Sequence, residues 1–135
     1  MRHARKLGLA ANDISGLLNF LASPESAQFF GSGSSSEVDI RGNLPNGEKI
    51  NRRVDRMVDL TAGVLLLDYK TGPRQTLSPT HNYVKQLAEY AWLSSTAKPG
   101  TVVKAALLWT QTGHLEWLSP ELLSQAVDQI VNSPS

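Results

Sequence analysis

Residues 50–70, INRRVDRMVDLTAGVLLLDYK, decide the fold of this chain. Two runs of strand-forming residues flank a short break, LTAG, and this pattern predicts an antiparallel hairpin. If Leu60 faces Gly63, paired positions sum to 123 and Asp55 lies directly opposite Asp68. Directly opposed like charges destabilise a strand pair. Such a pair is therefore expected to hold a cation, and a divalent metal with oxygen ligands is the obvious candidate.

The second run, residues 63–70, contains a continuous apolar stretch before its last three residues. Such a stretch is typical of a central strand that is covered on both faces. We therefore expect a helix on each side of the sheet. Asp68 and Lys70 come where this strand emerges, and strand alternation places them on the same face.

The first run is expected to be half-buried. Alternation predicts one face with Ile50, Val54 and Val58, and an opposite face with Asp55, Met57 and Asp59.

The rest of the chain supplies helices and further strands around this hairpin. We predict helical segments within residues 7–22 and 23–30, a GSGSSS connector at 31–36, a strand at 37–42, a turn at 43–47, a helix from about 78 to 95, strands at 101–110 and 114–118, and a helix from about 120 to 131. Serine–proline pairs are expected to start the helices at Ser23, Ser78 and Ser119. This order predicts an α/β (α+β) fold with a mixed sheet of about five strands flanked by helices.

Length and composition narrow the class of protein. The 135 residues suit one domain, residues 1–135, and 41% hydrophobic with 19% charged residues is ordinary for a soluble protein. No apolar run approaches the roughly 20 residues needed to span a bilayer, so we expect a cytoplasmic protein without a membrane partner. The absence of cysteine excludes disulfides, thiolate zinc sites and cysteine-ligated iron–sulfur clusters. A net charge of +1 neither demands nor forbids nucleic acid, because a local basic patch can suffice.

The residues around the hairpin suit phosphodiester hydrolysis. A metal held by two carboxylates neutralises the phosphate and produces a nucleophile from water at neutral pH. Lys70 beside it can position the water or stabilise developing negative charge. Gln86 and Tyr90 are four residues apart on the following helix, so they share a face and can reach the same site.

The chain contains three successive motifs, Val54-Asp55-Arg56, Asp68-Tyr69-Lys70-Thr71 and Gln86-Leu87-Ala88-Glu89-Tyr90. They resemble those of PD-(D/E)XK nucleases of the RecB type, and most closely those of the C-terminal nuclease domain of AddA-type bacterial helicase–nucleases. The likeness extends from about residue 17 to residue 129.

This resemblance implies a restriction-endonuclease-like fold and a Mg²⁺-dependent DNA exonuclease, with Mn²⁺ as a possible substitute. Asp55 and Asp68 would be metal ligands, with the Tyr69 carbonyl as a third. Lys70 would be catalytic, and Gln86 and Tyr90 would complete the site or contact DNA.

Further residues are candidates for contacts with DNA. Arg53, Arg56, Thr71 and Lys85 can meet phosphates, although each alone is an ordinary surface residue. Two positions are open for Glu37. It could lie beside the metal ligands or face DNA, or it could be an ordinary exposed residue of its strand.

The chain also departs from the family pattern. The family has a glycine where this chain has Arg52 or Arg53, and a metal-binding histidine on a helix upstream of everything present here. We therefore expect an N-terminally truncated piece of a helicase–nuclease, with weak or no nuclease activity by itself. No G-x-x-x-x-G-K-[ST] loop occurs, so no ATP site is expected. The implied partners are DNA, as single strands delivered by a helicase motor, and a second subunit of the AddB type.

Two rival functions remain open. A non-catalytic module could use the same fold to hold DNA or a partner subunit, and the missing ligand favours it. A stand-alone restriction or resolvase-type nuclease would share the chemistry.

Overall fold

The computed structural model describes residues 11–61 and 63–132, with side chains from residue 14 onward within those ranges. Helices and strands alternate along the chain in the order that the sequence predicts. They are α1 (Ala11–Leu21), a 3₁₀ helix (Pro24–Phe29), β1 (Ser34–Asn43), β2 (Lys49–Asp59), β3 (Gly63–Lys70), α2 (Asn82–Ala97), β4 (Val102–Trp109), β5 (His114–Trp117) and α3 (Pro120–Val131). Within the described ranges, no helix is both long and apolar enough to cross a membrane.

The five strands form one open mixed sheet in the order β1-β2-β3-β4-β5. β3 and β4 are parallel, with α2 as the crossover between them, and the other neighbours are antiparallel. This confirms the predicted fold class, an α+β protein with a mixed sheet of about five strands and flanking helices.

The register of the β2–β3 hairpin is the predicted one. Ladder pairs from Arg56 with Leu67 to Asp59 with Val64 all sum to 123. The Leu60 N–H also donates to the Gly63 carbonyl at 2.9 Å, which places these two residues opposite each other at the end of the hairpin. Residue 62 at the turn lies outside the described residues.

β3 is the central strand and has a hydrophobic core on each face, as predicted. Leu66 packs in the core beneath α2 and α3, which contains Leu87 and Leu123. Its neighbours Leu65 and Leu67 pack in the other core, beneath α1 and the 3₁₀ helix. Because both faces are covered, β3 needs apolar side chains at successive positions, and this explains its continuous run.

The predicted faces of β2 are wrong beyond Asp55. Val54 and Met57 pack in the same core, the one beneath α2 and α3, although they are three positions apart and regular alternation would place them on opposite faces. Val58 packs in the opposite core. The alternation inverts at Asp55, and the residue across from it in β1 is Glu37, which has a positive φ of 53°. A non-glycine residue with positive φ is uncommon and turns its side chain out of the strand's normal alternation.

One of the predicted helix starts and the connector are also corrected. α2 begins at Asn82 rather than near Ser78, because His81 caps it by accepting the Tyr83 N–H on Nδ1 at 3.1 Å. The 3₁₀ helix starts after Ser23 as predicted, although the Ser23 Oγ donates to the Phe20 carbonyl at 2.6 Å and makes no cap bond. The predicted connector is shorter, since β1 already begins at Ser34. The Ser119 start is confirmed, because its side chain accepts the Leu122 N–H.

α1 reaches the sheet through a close backbone approach at Gly16. A Cβ atom added at Gly16 would overlap the carbonyl oxygen of Thr110, at the end of β4. A Cβ atom added at Gly113, in the β4–β5 turn with φ of 76°, would lie 2.5 Å from the Gly16 carbonyl oxygen. Leu17 and Phe20 on the same helix are then fully buried in the core.

We predict that Gly16→Ala destabilises the protein. In an exposed helix, alanine is better than glycine by about 1 kcal/mol. Here the overlap with Thr110 should reverse the sign and cost about 1–3 kcal/mol, as overpacking does elsewhere. Urea unfolding measures the change, and Ser15→Ala on the exposed side of the same helix is the control. Stabilisation by Gly16→Ala would contradict the close approach.

Candidate active site

The carboxylates of Asp55 and Asp68 each accept a backbone N–H from the strand that carries the other residue. The Asp55 backbone N–H donates to Asp68 Oδ1 at 3.0 Å, and the Tyr69 N–H donates to Asp55 Oδ2 at 2.8 Å. These bonds lie one step beyond Arg56 and Leu67, where the regular β2–β3 ladder ends. The two side chains therefore take over from the ladder, and this fixes both carboxylates where β2 and β3 meet.

Lys70 is held beside this pair by contacts on three sides. Its Nζ lies 3.8 Å from Asp68 Oδ2 and 3.3 Å from Gln86 Oε1. The same Nζ lies 4.4 Å from the centre of the Tyr83 ring, a favourable position for a cation over an aromatic face. The Lys70 side chain is only 17% exposed, so these contacts restrict where its ammonium can point.

Burial makes the charge on Asp68 costly. The residue is 3% exposed, and burial raises its pKa from 3.8 to about 6. The Lys70 ammonium lowers this pKa and the nearby Asp55 charge raises it. A carboxylate in this state binds an added cation well, because the cation favours its charged form.

Tyr90 lies near the pair but has no exposed surface. Its hydroxyl donates to the Arg53 carbonyl at 3.2 Å and so ties α2 to β2 two residues before Asp55. Burial, followed by the charge on Asp68, raises the pKa of Tyr90 well above its ordinary value, so the hydroxyl keeps its proton. Tyr90 is thus buried and bonded to the β2 backbone beside the site, and its role in completing the site or contacting DNA stays a prediction.

The four predicted DNA-contacting residues are not equivalent. The Arg56 guanidinium is held by contacts within the protein. Its Nε donates to the Phe29 carbonyl at 2.8 Å, and the group stacks over the Phe30 ring. Arg53 pairs with Asp39 at 3.1 Å. Thr71 and Lys85 are exposed, and Lys85 lines a cleft next to Lys70.

Three residues near the site carry roles that the sequence did not predict. Tyr83 provides the ring under Lys70, and its spacing of three residues before Gln86 was the available signal. Glu89 is 1% exposed and pairs with Arg52 at 3.3 Å. No local pattern reveals that pair, because its members are 37 residues apart.

The side chains present suit a hard divalent cation. Asp55, Asp68 and the Tyr69 carbonyl would all offer oxygen, which Mg²⁺ prefers. No group of three histidine, cysteine, aspartate or glutamate side chains that could hold a metal occurs in the part of the chain that the structure describes. The carboxylate pair therefore fits two positions of a Mg²⁺ shell, with water or backbone oxygen in the others.

The comparisons with known proteins give no family. No family model matches the chain, and no curated protein does. A solved structure, that of SSO0001, aligns with 93% of this chain at 21% identity and a TM-score of 0.49. The chain spans 64% of the length of that structure. A likeness this weak supports no inference about activity.

We predict that Asp68 makes the metal-free protein less stable as pH rises. Its folded pKa of about 6 exceeds the unfolded value of 3.8, so its contribution is intact below pH 4 and is lost as pH passes 6. Relative to Asp68→Asn, the wild type should lose about 3 kcal/mol across this window, since each pKa unit corresponds to about 1.4 kcal/mol.

Urea unfolding of both proteins with EDTA, between pH 3.5 and pH 7.5, measures this difference. Asparagine can still accept the Asp55 N–H, so the variant keeps the bond between the strands. Parallel pH profiles for the two proteins would contradict the prediction.

Proposed function

We propose that this chain is a metal-dependent phosphodiester hydrolase that acts on DNA, the exonuclease domain of a helicase–nuclease in double-strand break repair. The observation that carries the proposal is the carboxylate pair of Asp55 and Asp68, fixed at the end of a buried strand with the Lys70 ammonium 3.8 Å away. The three sequence motifs that resemble RecB-type nucleases support it, because all of them converge on this place.

The protein side chains divide the work of hydrolysis among them. Asp55 and Asp68, with the Tyr69 carbonyl, would hold Mg²⁺ or Mn²⁺. When bound, the metal supplies charge neutralisation of the phosphate and a nucleophile from water at neutral pH. Water forms the new bond to phosphorus as the bond to the leaving oxygen breaks. Lys70, aimed by Gln86 and Tyr83, orients that water or donates to the charge that develops on the phosphate oxygens.

The surroundings of this reaction follow from the same proposal. DNA would arrive as single strands from a helicase motor, as the resemblance to helicase–nucleases implies. A second subunit of the AddB type would complete the complex, and the bacterial members of that family imply that it would work in the cytoplasm.

Cleavage of labelled single-stranded DNA tests the proposal. With Mg²⁺ or Mn²⁺, we expect digestion that Asp68→Ala reduces by about two orders of magnitude, because the metal contributes several kcal/mol to the transition state. Asp59→Ala is the matched control, since Asp59 is exposed at the far end of β2. The assay should include both this chain and one extended upstream by its genomic sequence. If Asp68→Ala cuts as well as Asp59→Ala, the proposal fails.

A non-catalytic module that holds DNA or a partner is the second candidate. It is favoured by the structural use of both carboxylates, since each already accepts a backbone N–H. Titration with Mn²⁺ discriminates between the two functions. A nuclease site binds Mn²⁺ in a way that Asp55→Ala abolishes, whereas a purely structural pair binds none.

We predict that Tyr83 positions Lys70 through its ring. Tyr83→Phe keeps the aromatic face and should retain cleavage, whereas Tyr83→Leu should lower kcat about five-fold, from the loss of about 1 kcal/mol of cation–π contact. Steady-state kinetics on a labelled oligonucleotide measures this. Equal loss in both variants would assign the effect to the hydroxyl instead, and a change in thermal unfolding would reveal a folding defect.

A further inference from the structure

We propose that the cleft beside Lys70 binds the phosphodiester backbone of a nucleic acid strand, one step along from the phosphate at the carboxylate pair. This inference rests on the proposed function and specifies the substrate as a polynucleotide. The cleft lies between β2 and the first turns of α2, and has a volume of about 440 Å³. Lys70 lines it, so the cleft begins where the candidate active site ends.

The walls of the cleft favour an anion. Three cationic side chains line it, Arg52 from β2, Lys70 from β3 and Lys85 from α2, against the single carboxylate of Glu89. Arg52 and Lys70 are ion-paired with Glu89 and Asp68, so Lys85 supplies the positive charge that no ion pair in the described ranges balances. Cations that line a concave surface focus their field into it, and this attracts polyanions.

Glu89 adds to the site by fixing Arg52. The Glu89 side chain is 2% exposed, and its Oε1 lies 3.3 Å from Arg52 Nε. A buried carboxylate is costly without its partner, so the pair holds the guanidinium in place. The bond uses Nε, and the Nη groups have no partner among the described residues. These are the donors with which arginine binds phosphate oxygens in pairs.

The start of α2 contributes further. Lys85 is in the first turns of this helix, and its side chain is exposed with no ion pair in the described ranges. The partial positive charge of a helix N-terminus acts in the same direction as these cations. Of the basic residues near the site, Arg53 and Arg56 are held by protein partners and Arg52 is bonded through Nε alone, whereas Lys85 makes no ion pair within the described ranges. Recognition of the strand is thus assigned to Lys85 and Arg52.

Binding of a fluorescent oligothymidylate, measured by anisotropy in EDTA, tests the cleft without cleavage. Lys85→Gln should weaken binding about three- to ten-fold and reduce the salt dependence by about 0.7 in slope, the amount expected for one lost phosphate contact on a single strand. Lys98→Gln, at the opposite end of the same helix, is the control and should bind as the wild type does.

A double variant tests Arg52 without leaving the buried Glu89 carboxylate unpaired. In Arg52→Gln with Glu89→Gln, two amides replace the ion pair, and we expect a similar loss of binding with little change in thermal unfolding. Unaltered binding in both the Lys85 and the Arg52 variants would overturn the inference, as would failure of the wild type to bind the strand. Displacement of the strand by inorganic phosphate at low millimolar concentration would assign the cleft to a free anion and also overturn it.

The two proposals fail in different ways. If cleavage depends on Asp68 but not on Lys85 or Arg52, the proposed function stands and the proposal that the cleft binds the strand is contradicted. If strand binding depends on Lys85 but cleavage is unaffected by Asp68→Ala, the cleft proposal stands and the proposed function is contradicted.

Discussion

The exchange of backbone hydrogen bonds between Asp55 and Asp68 is the interaction on which the candidate site depends. Ordinary strand pairing would use backbone carbonyls at this point and leave two carboxylates opposed at close range. Here each carboxylate accepts an N–H from the other strand, so the bonds that join β2 to β3 also fix the charges. Hydrogen bonds to the charged form lower its cost, which partly offsets the burial of Asp68.

The elements around this exchange hold it from several directions. Lys70 balances the charge on Asp68, and Gln86 and Tyr83 hold Lys70. Tyr90 ties α2 to the backbone of β2 nearby. α2 is also the crossover between the parallel strands β3 and β4, so its position is set by the sheet itself. The site is thus built on rigid elements, which suits a reaction that requires well-positioned groups.

The sequence predicts much of this because its signals are local. The break at residues 60–63 sets the hairpin register, and the register alone brings Asp55 to Asp68. The apolar run of β3 reveals its central position. Two features that escaped prediction depend on contacts between distant residues: the pairing of Arg52 with Glu89 and the Gly16 contact with Thr110. The start of α2 at Asn82 also escaped, because His81 caps the helix in place of the serine–proline pair upstream. The inverted faces of β2 escaped because period-two alternation assumes regular backbone on both strands, and Glu37 breaks that regularity.

The inversion at Asp55 also determines what the cleft contains. Arg56 faces the core beneath α1, where it meets Phe29. Regular alternation would carry Arg52 and Val54 to that same side. Instead Val54 packs beneath α2, and Arg52 reaches Glu89 on that helix. β2 thus places Arg56 and Arg52 on opposite sides of the sheet, where Arg56 bonds to the 3₁₀ helix and Arg52 lines the cleft.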